Sequence, residues 1–133
     1  MKISAFKTDD KLETSGVWVD VADLRLRIAR MNNPQYEACF RKLSRPHVDG
    51  IAAGLTDLTL IEDLMKQAMS QTILLDWDNL QDEDGKAIVY SKEKALELLR
   101  TVPDFYRMVL RQAQDREKYL AGDLESAKNF SNG

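Results

Sequence analysis

Val17-Trp18-Val19-Asp20-Val21-Ala22-Asp23-Leu24-Arg25-Leu26-Arg27-Ile28 is the stretch on which the fold turns. Four of its first five residues are β-branched or aromatic, so Val17–Val21 reads as a strand. The second half reads two ways. With Asp23 as a cap, Leu24, Leu26, Ile28 and Met31 set against Arg25, Arg27 and Arg30 predict a helix, while the alternation over Leu24–Ile28 also permits a strand. Upstream, Ile3–Phe6 is short and apolar-rich and Thr8–Gly16 is polar and turn-like. The expectation is an N-terminal β-hairpin joining Ile3–Phe6 to Val17–Val21. A lone hairpin is marginal in water, so the helices that follow, or another subunit, must cover it.

Downstream the pattern is helical. Asn33 suits a cap with Pro34 in the first helical position, and Tyr36, Phe40 and Leu43 fall at i, i+4, i+7. The Pro46 region ends that helix, and Pro46, Gly50 and Gly54 mark a loop and the one plausible seam. Asp57 or Thr56 begins the longest helix, with Leu58, Ile61, Met65, Ala68, Thr72 and Leu75 on one stripe and Leu60, Leu64, Met69, Ile73 and Leu74 widening it. A helix so broadly apolar is central. Asp76 to Gly85 breaks the pattern. Ser91 caps a short helix that Val102-Pro103 ends, and Asp104 starts another that Gly122 closes. The fold class expected is therefore mainly α (α+β), five or six packed helices with a small N-terminal β-hairpin. It forms a single domain over 1–133: hairpin 1–21, helical body 22–122, frayed tail 123–133.

Composition narrows the function. The 133 residues are 44% apolar and 31% charged, ordinary globular values, so disorder throughout is excluded. The balance of 19 basic against 22 acidic side chains leaves no sequence-wide excess for a phosphate backbone. The lone Cys39 forms no intramolecular disulfide, and one His with one Cys makes no Cys/His zinc site. No apolar run approaches the ~20 residues of a membrane helix, and Met1–Asp10 is unlike a signal peptide. A chain that stays where it is made is expected, with no membrane partner.

Sequence signatures of catalysis and of cofactor or metal binding are missing. Aligning Gly85 with the sixth position of a calcium loop puts Asp84 and Asp82 correctly, but Leu80 and Ser91 fall where closing carboxylates belong, so Asp76–Gly85 reads as a solvated acidic turn. Gly50-Ile51-Ala52-Ala53-Gly54 has the spacing of no phosphate loop, and no nucleophile elbow exists. His47 and Cys39 read as packing residues. No catalytic residue, cofactor or metal is expected. Arg25, Arg27, Arg30, Arg41, Lys42 and Arg45 form the strongest basic cluster. The stretch is poor in the Asn, Gln, Ser and Thr that read base edges, so a solvated face or a protein partner is favoured over nucleic acid. Trp77, among Asp76, Asp78, Asp82, Glu83 and Asp84, reads first as a core anchor with its N–H on a carbonyl, and second as a partner contact.

The order of features then resembles a known family. Gly16-Val17-Trp18-Val19-Asp20-Val21 leads to Asn33-Pro34-Gln35-Tyr36-Glu37. Leu74-Leu75-Asp76-Trp77-Asp78-Asn79-Leu80 follows, then Asp84-Gly85-Lys86-Ala87-Ile88-Val89-Tyr90-Ser91, then Pro103-Asp104-Phe105-Tyr106. This succession is similar to the tail assembly chaperones of long-tailed (siphovirus-type) bacteriophages and covers nearly the whole chain. The resemblance implies a protein of the host bacterial cytoplasm, absent from the mature virion. It would bind the phage tape measure protein, keep it soluble and help recruit tail tube subunits, in many such phages through a longer frameshifted product. It implies no catalytic residues.

The functional expectation is a non-enzymatic assembly chaperone that forms a homo-oligomer and contacts partners through Arg25, Arg27, Arg30, Trp77 and Asp78. A head–tail joining or minor tail protein, or a small DNA-binding regulator using the Arg25–Arg45 face, are the alternatives.

Overall fold

The computed structural model describes residues 1–54 and 57–120. Its centre is a three-stranded antiparallel sheet of order β1-β2-β3, formed by β1 (Val17–Val21), β2 (Leu24–Ile28) and β3 (Leu74–Asp78). The expected N-terminal hairpin is not formed. Val17–Val21 is a strand, but it pairs with Leu24–Ile28 across the turn Ala22-Asp23, and β2 pairs on its other side with β3. The sheet is thus assembled from mid-chain segments, and the expected helix over Leu24–Met31 is a strand. The reason is in the alternation. Leu24, Leu26 and Ile28 turn to one face, where Leu26 and Ile28 have no exposure at all, and Arg25 and Arg27 turn to the other. Only pairing on both edges satisfies the backbone of so central a segment.

Ile3–Phe6, expected as the hairpin's first strand, is a turn of 3-10 helix with no buried side chain. The expected turn before Gly16 contains α1 (Asp10–Ser15), started by Asp9, whose carboxylate accepts from the N–H groups of Lys11 and Leu12. Gly16 (φ 83°, ψ 163°) ends it in a backbone region open essentially to glycine alone, where a Cβ would sit 3.1 Å from both the Ile28 carbonyl carbon and Leu75 Cδ1.

The helical layer covers the apolar face. Asn33 caps α2 (Pro34–Ser44) as its sequence predicts. After a 3-10 turn at Arg45–His47, the expected loop holds the short α3 (Val48–Ala52). Asp57 caps α4 (Leu58–Thr72), which packs between α2 and α5 (Lys92–Thr101), and α6 (Pro103–Ala113) packs on α5. α4 stops short of Leu75 because its last predicted apolar residues belong to β3, where Leu74 faces Ile28. α6 stops at Ala113. Asp115 then caps a 3-10 turn, Arg116–Tyr119, in place of the helix expected to reach Gly122. Gly122 and the expected tail 123–133 lie outside the described residues.

The core runs between sheet and helices: Leu26, Ile28, Met69, Ile73, Leu74, Leu99 and Val109 are sealed from solvent. Tyr119, also sealed, donates its hydroxyl to the Ile28 carbonyl at 2.9 Å and so ties the end of the described chain to the central strand. An antiparallel bridge between Thr8 and Leu120 brings the N-terminal segment to the same place.

Candidate functional site

A depression in the surface is built on α2. Its cap is laid down by Asn33, which is 1% exposed. The Oδ1 of Asn33 accepts from the N–H groups of Gln35 (2.9 Å) and Tyr36 (3.0 Å), while Nδ2 donates to the carbonyls of Arg30 (2.8 Å) and Glu13 (3.2 Å). The side chain therefore starts the helix and fastens it to the loops below. From that fixed start, Tyr36 and Phe40 stack with ring centres 6.0 Å apart. Together with Met31 before the helix and Met65 on α4 they form the apolar floor of an open groove of about 500 Å³, rimmed by Asn32, Glu37, Arg41, Ser44 and Gln114. That volume lies in the ~300–1,000 Å³ range of clefts that hold a ligand or a few side chains.

The groove's chemistry suits binding. Burial first, then the neighbouring Tyr106 and Cys39, push the Tyr36 hydroxyl up to about 12, so it stays a neutral hydrogen-bonding group. Burial also raises the Cys39 thiol, which makes it less nucleophilic at neutral pH. Flexible methionine side chains beside stacked aromatic rings fit apolar partners of varied shape. Among the described residues no three His, Cys, Asp or Glu side chains converge to hold a metal ion.

The residues singled out from the sequence fall in three places. Arg25, Arg27 and Asp78 share the outer face of the sheet. There Arg25 stands opposite Asp20 and Asp78 in the register, bonds Asp20 at 3.1 Å and lies 5.0 Å over the Trp18 ring. Arg27 stands opposite Trp18 and Asp76 and donates to the Ser15 carbonyl at 3.0 Å. Arg30 is apart from them, donating to the Thr8 hydroxyl and pairing with Glu13. Trp77 points inward from β3. Its indole N–H donates to the Ile88 carbonyl at 2.7 Å and its ring meets Tyr90 edge-on at 4.9 Å. The expected basic face over Arg25–Arg45 is not formed as one surface, because Arg25 and Arg27 are on a strand and Arg41 and Lys42 lie on α2. The acidic turn is closed on itself, with Asp82 accepting from the N–H groups of Asp84 and Lys86 around Gly85 at φ 81°.

Sequence reasoning found the Tyr36–Phe40 stripe but not the groove. Met31, Met65 and Gln114 come from segments distant in the chain, and nothing local to them announces that they meet. Trp18, exposed at 44% on the sheet's outer face, was visible only as a strand former.

Comparison with known proteins adds one finding. No curated protein and no solved structure matches the chain. A family model described as YdaY prophage protein matches residues 31–129, a span that contains the whole groove and leaves β1 and β2 outside it. Matched over most of its length, the chain belongs to the YdaY prophage protein family.

Proposed function

We propose that this phage-related protein is a non-enzymatic tail assembly chaperone. It would hold an apolar helical stretch of the tape measure protein in the α2–α4 groove, helping to recruit tail tube subunits in the host cytoplasm and leaving before the virion is complete. The observation that carries the reading is the groove itself. Half-buried Phe40 and Met65 lie over buried Tyr36 and Met31, and Glu37 and Arg41, one helical turn apart on α2, set a negative and a positive charge along the same rim. An amphipathic helix lays its i, i+3, i+4 and i+7 side chains into such a groove, and the rim charges orient it. Membership of a prophage family and the succession of motifs over residues 74–106 support the tail setting. Among the described residues no helix is long and apolar enough to cross a membrane.

Co-expression with a phage tape measure protein is the test. The chaperone should keep that protein soluble and intact. Phe40→Asp should abolish the effect, and Arg41→Glu, which leaves the core untouched, should weaken it. Equal solubility without the chaperone refutes the reading, and its presence in stoichiometric amount in purified particles would make it a joining or minor tail protein.

A further inference from the structure

The two edges of the sheet are finished differently. On β3 the outward N–H of Trp77 is taken by the Asp76 carboxylate at 2.8 Å, and the Leu74 carbonyl accepts the Tyr90 hydroxyl at 2.6 Å. Side chains thus occupy the groups that another strand would need. On β1 the hairpin turn Ala22-Asp23 makes Val21, Val19 and Val17 face β2 with their backbone groups, so Trp18 and Asp20 face theirs outward. Among the described residues no backbone group pairs with that edge.

We propose that β1 is a self-association edge, where two copies of this chain join β1 to β1, antiparallel about a two-fold axis at Val19, into one six-stranded sheet. The register follows from the charges. Placing Trp18 opposite Asp20 of the second copy uses all four outward backbone groups of each strand. Sliding one way sets Asp20 against Asp20, a like-charge pair. Sliding the other way sets Trp18 against Trp18 and leaves Asp20 beyond the second strand, against Gly16. In the central register each row of the outer face reads Asp78, Arg25, Asp20, then Trp18, Arg27, Asp76 of the second copy, with no like charges adjacent. On the apolar face the half-buried Val17 meets Val21 and the valine row runs on across the axis. This inference stands on the sheet and is independent of what the groove holds.

One five-residue strand per copy is a small interface, so association is expected to depend on concentration. Light scattering should show monomer passing to dimer as the protein is raised towards about 1 mM, the weak end of specific binding. Asp20→Pro removes one outward N–H and no ladder bond, so it should leave a folded monomer by circular dichroism. In a Cys39→Ser background, Val19→Cys should cross-link on mild oxidation, since residues facing each other at a non-hydrogen-bonded position bring their Cβ atoms within disulfide reach, while Val17→Cys should not. A chain that stays monomeric at about 1 mM, a dimer that survives Asp20→Pro, or cross-linking at position 17 in preference to 19 would each overturn the proposal.

Discussion

Replacing Asn33 with alanine should cost about 2–3 kcal/mol of stability, and the hydrogen-bond inventory says why it is no more. Four bonds are lost, but they are not equal. The Arg30 carbonyl still accepts the Asn33 N–H at 3.3 Å, and the Glu13 carbonyl still accepts the Arg30 N–H at 2.9 Å, so neither oxygen is orphaned. The N–H of exposed Gln35 finds water. The N–H of buried Tyr36 does not. The cost is then one cap, about 1 kcal/mol, plus one buried donor without a partner, about 1–2 kcal/mol. Asn33→Ser returns an oxygen to the cap and should recover about 1 kcal/mol. Asn33→Asp keeps the cap but sets a buried carboxylate against the carbonyls of Glu13 and Arg30, and should fall below serine. Denaturant unfolding monitored by circular dichroism measures each difference, provided the slope is unchanged between variants. An Asn33→Ala loss under about 0.5 kcal/mol, within the range of an ordinary surface change, would refute the reasoning. So would a serine variant no better than alanine. Because the same cap sets where α2 starts, the alanine variant should also weaken the client binding proposed for the groove.

Two further outcomes follow from the structure. Gly16→Ala should cost about 2–4 kcal/mol, combining a left-handed backbone with crowding against β2 and Leu75. Gly85→Ala, also at positive φ but in open space, should cost only about 1 kcal/mol, and equal midpoints in denaturant would discount both the crowding and the extra backbone strain at Gly16. Stability should also fall at alkaline pH. Burial pushes Tyr36 up to about 12 and Tyr119 beyond the usual phenol range, so the folded chain keeps protons that unfolded tyrosines release near pH ~10. Their contribution is complete below that pH and is lost as pH rises towards the folded values, at up to ~1.4 kcal/mol per pH unit for each tyrosine. A flat unfolding free energy from about pH 9 to about pH 12, or a slope unchanged in Tyr119→Phe, would contradict this.

What the sequence alone determined is what short-range physics controls. Asn33-Pro34, Asp57 and Ser91 each begin a helix because a side-chain oxygen can reach an N–H two or three residues on, and that chemistry is complete within four residues. Val17–Val21 is extended because its side chains crowd a helix. The Trp77 indole found its carbonyl, as a large ring with one donor must when buried. Tertiary structure decided the rest. Leu24–Ile28 satisfies two periodicities over five residues, and only the presence of β1 on one side and β3, nearly fifty residues later, on the other makes the strand the better solution. Leu74 and Leu75 continue α4's apolar stripe in sequence, yet β2's second edge claims them for the sheet. The groove belongs to the same class: Phe40, Met65 and Gln114 become a site because helix packing brings three separated segments together, and no local pattern encodes a distance across the fold.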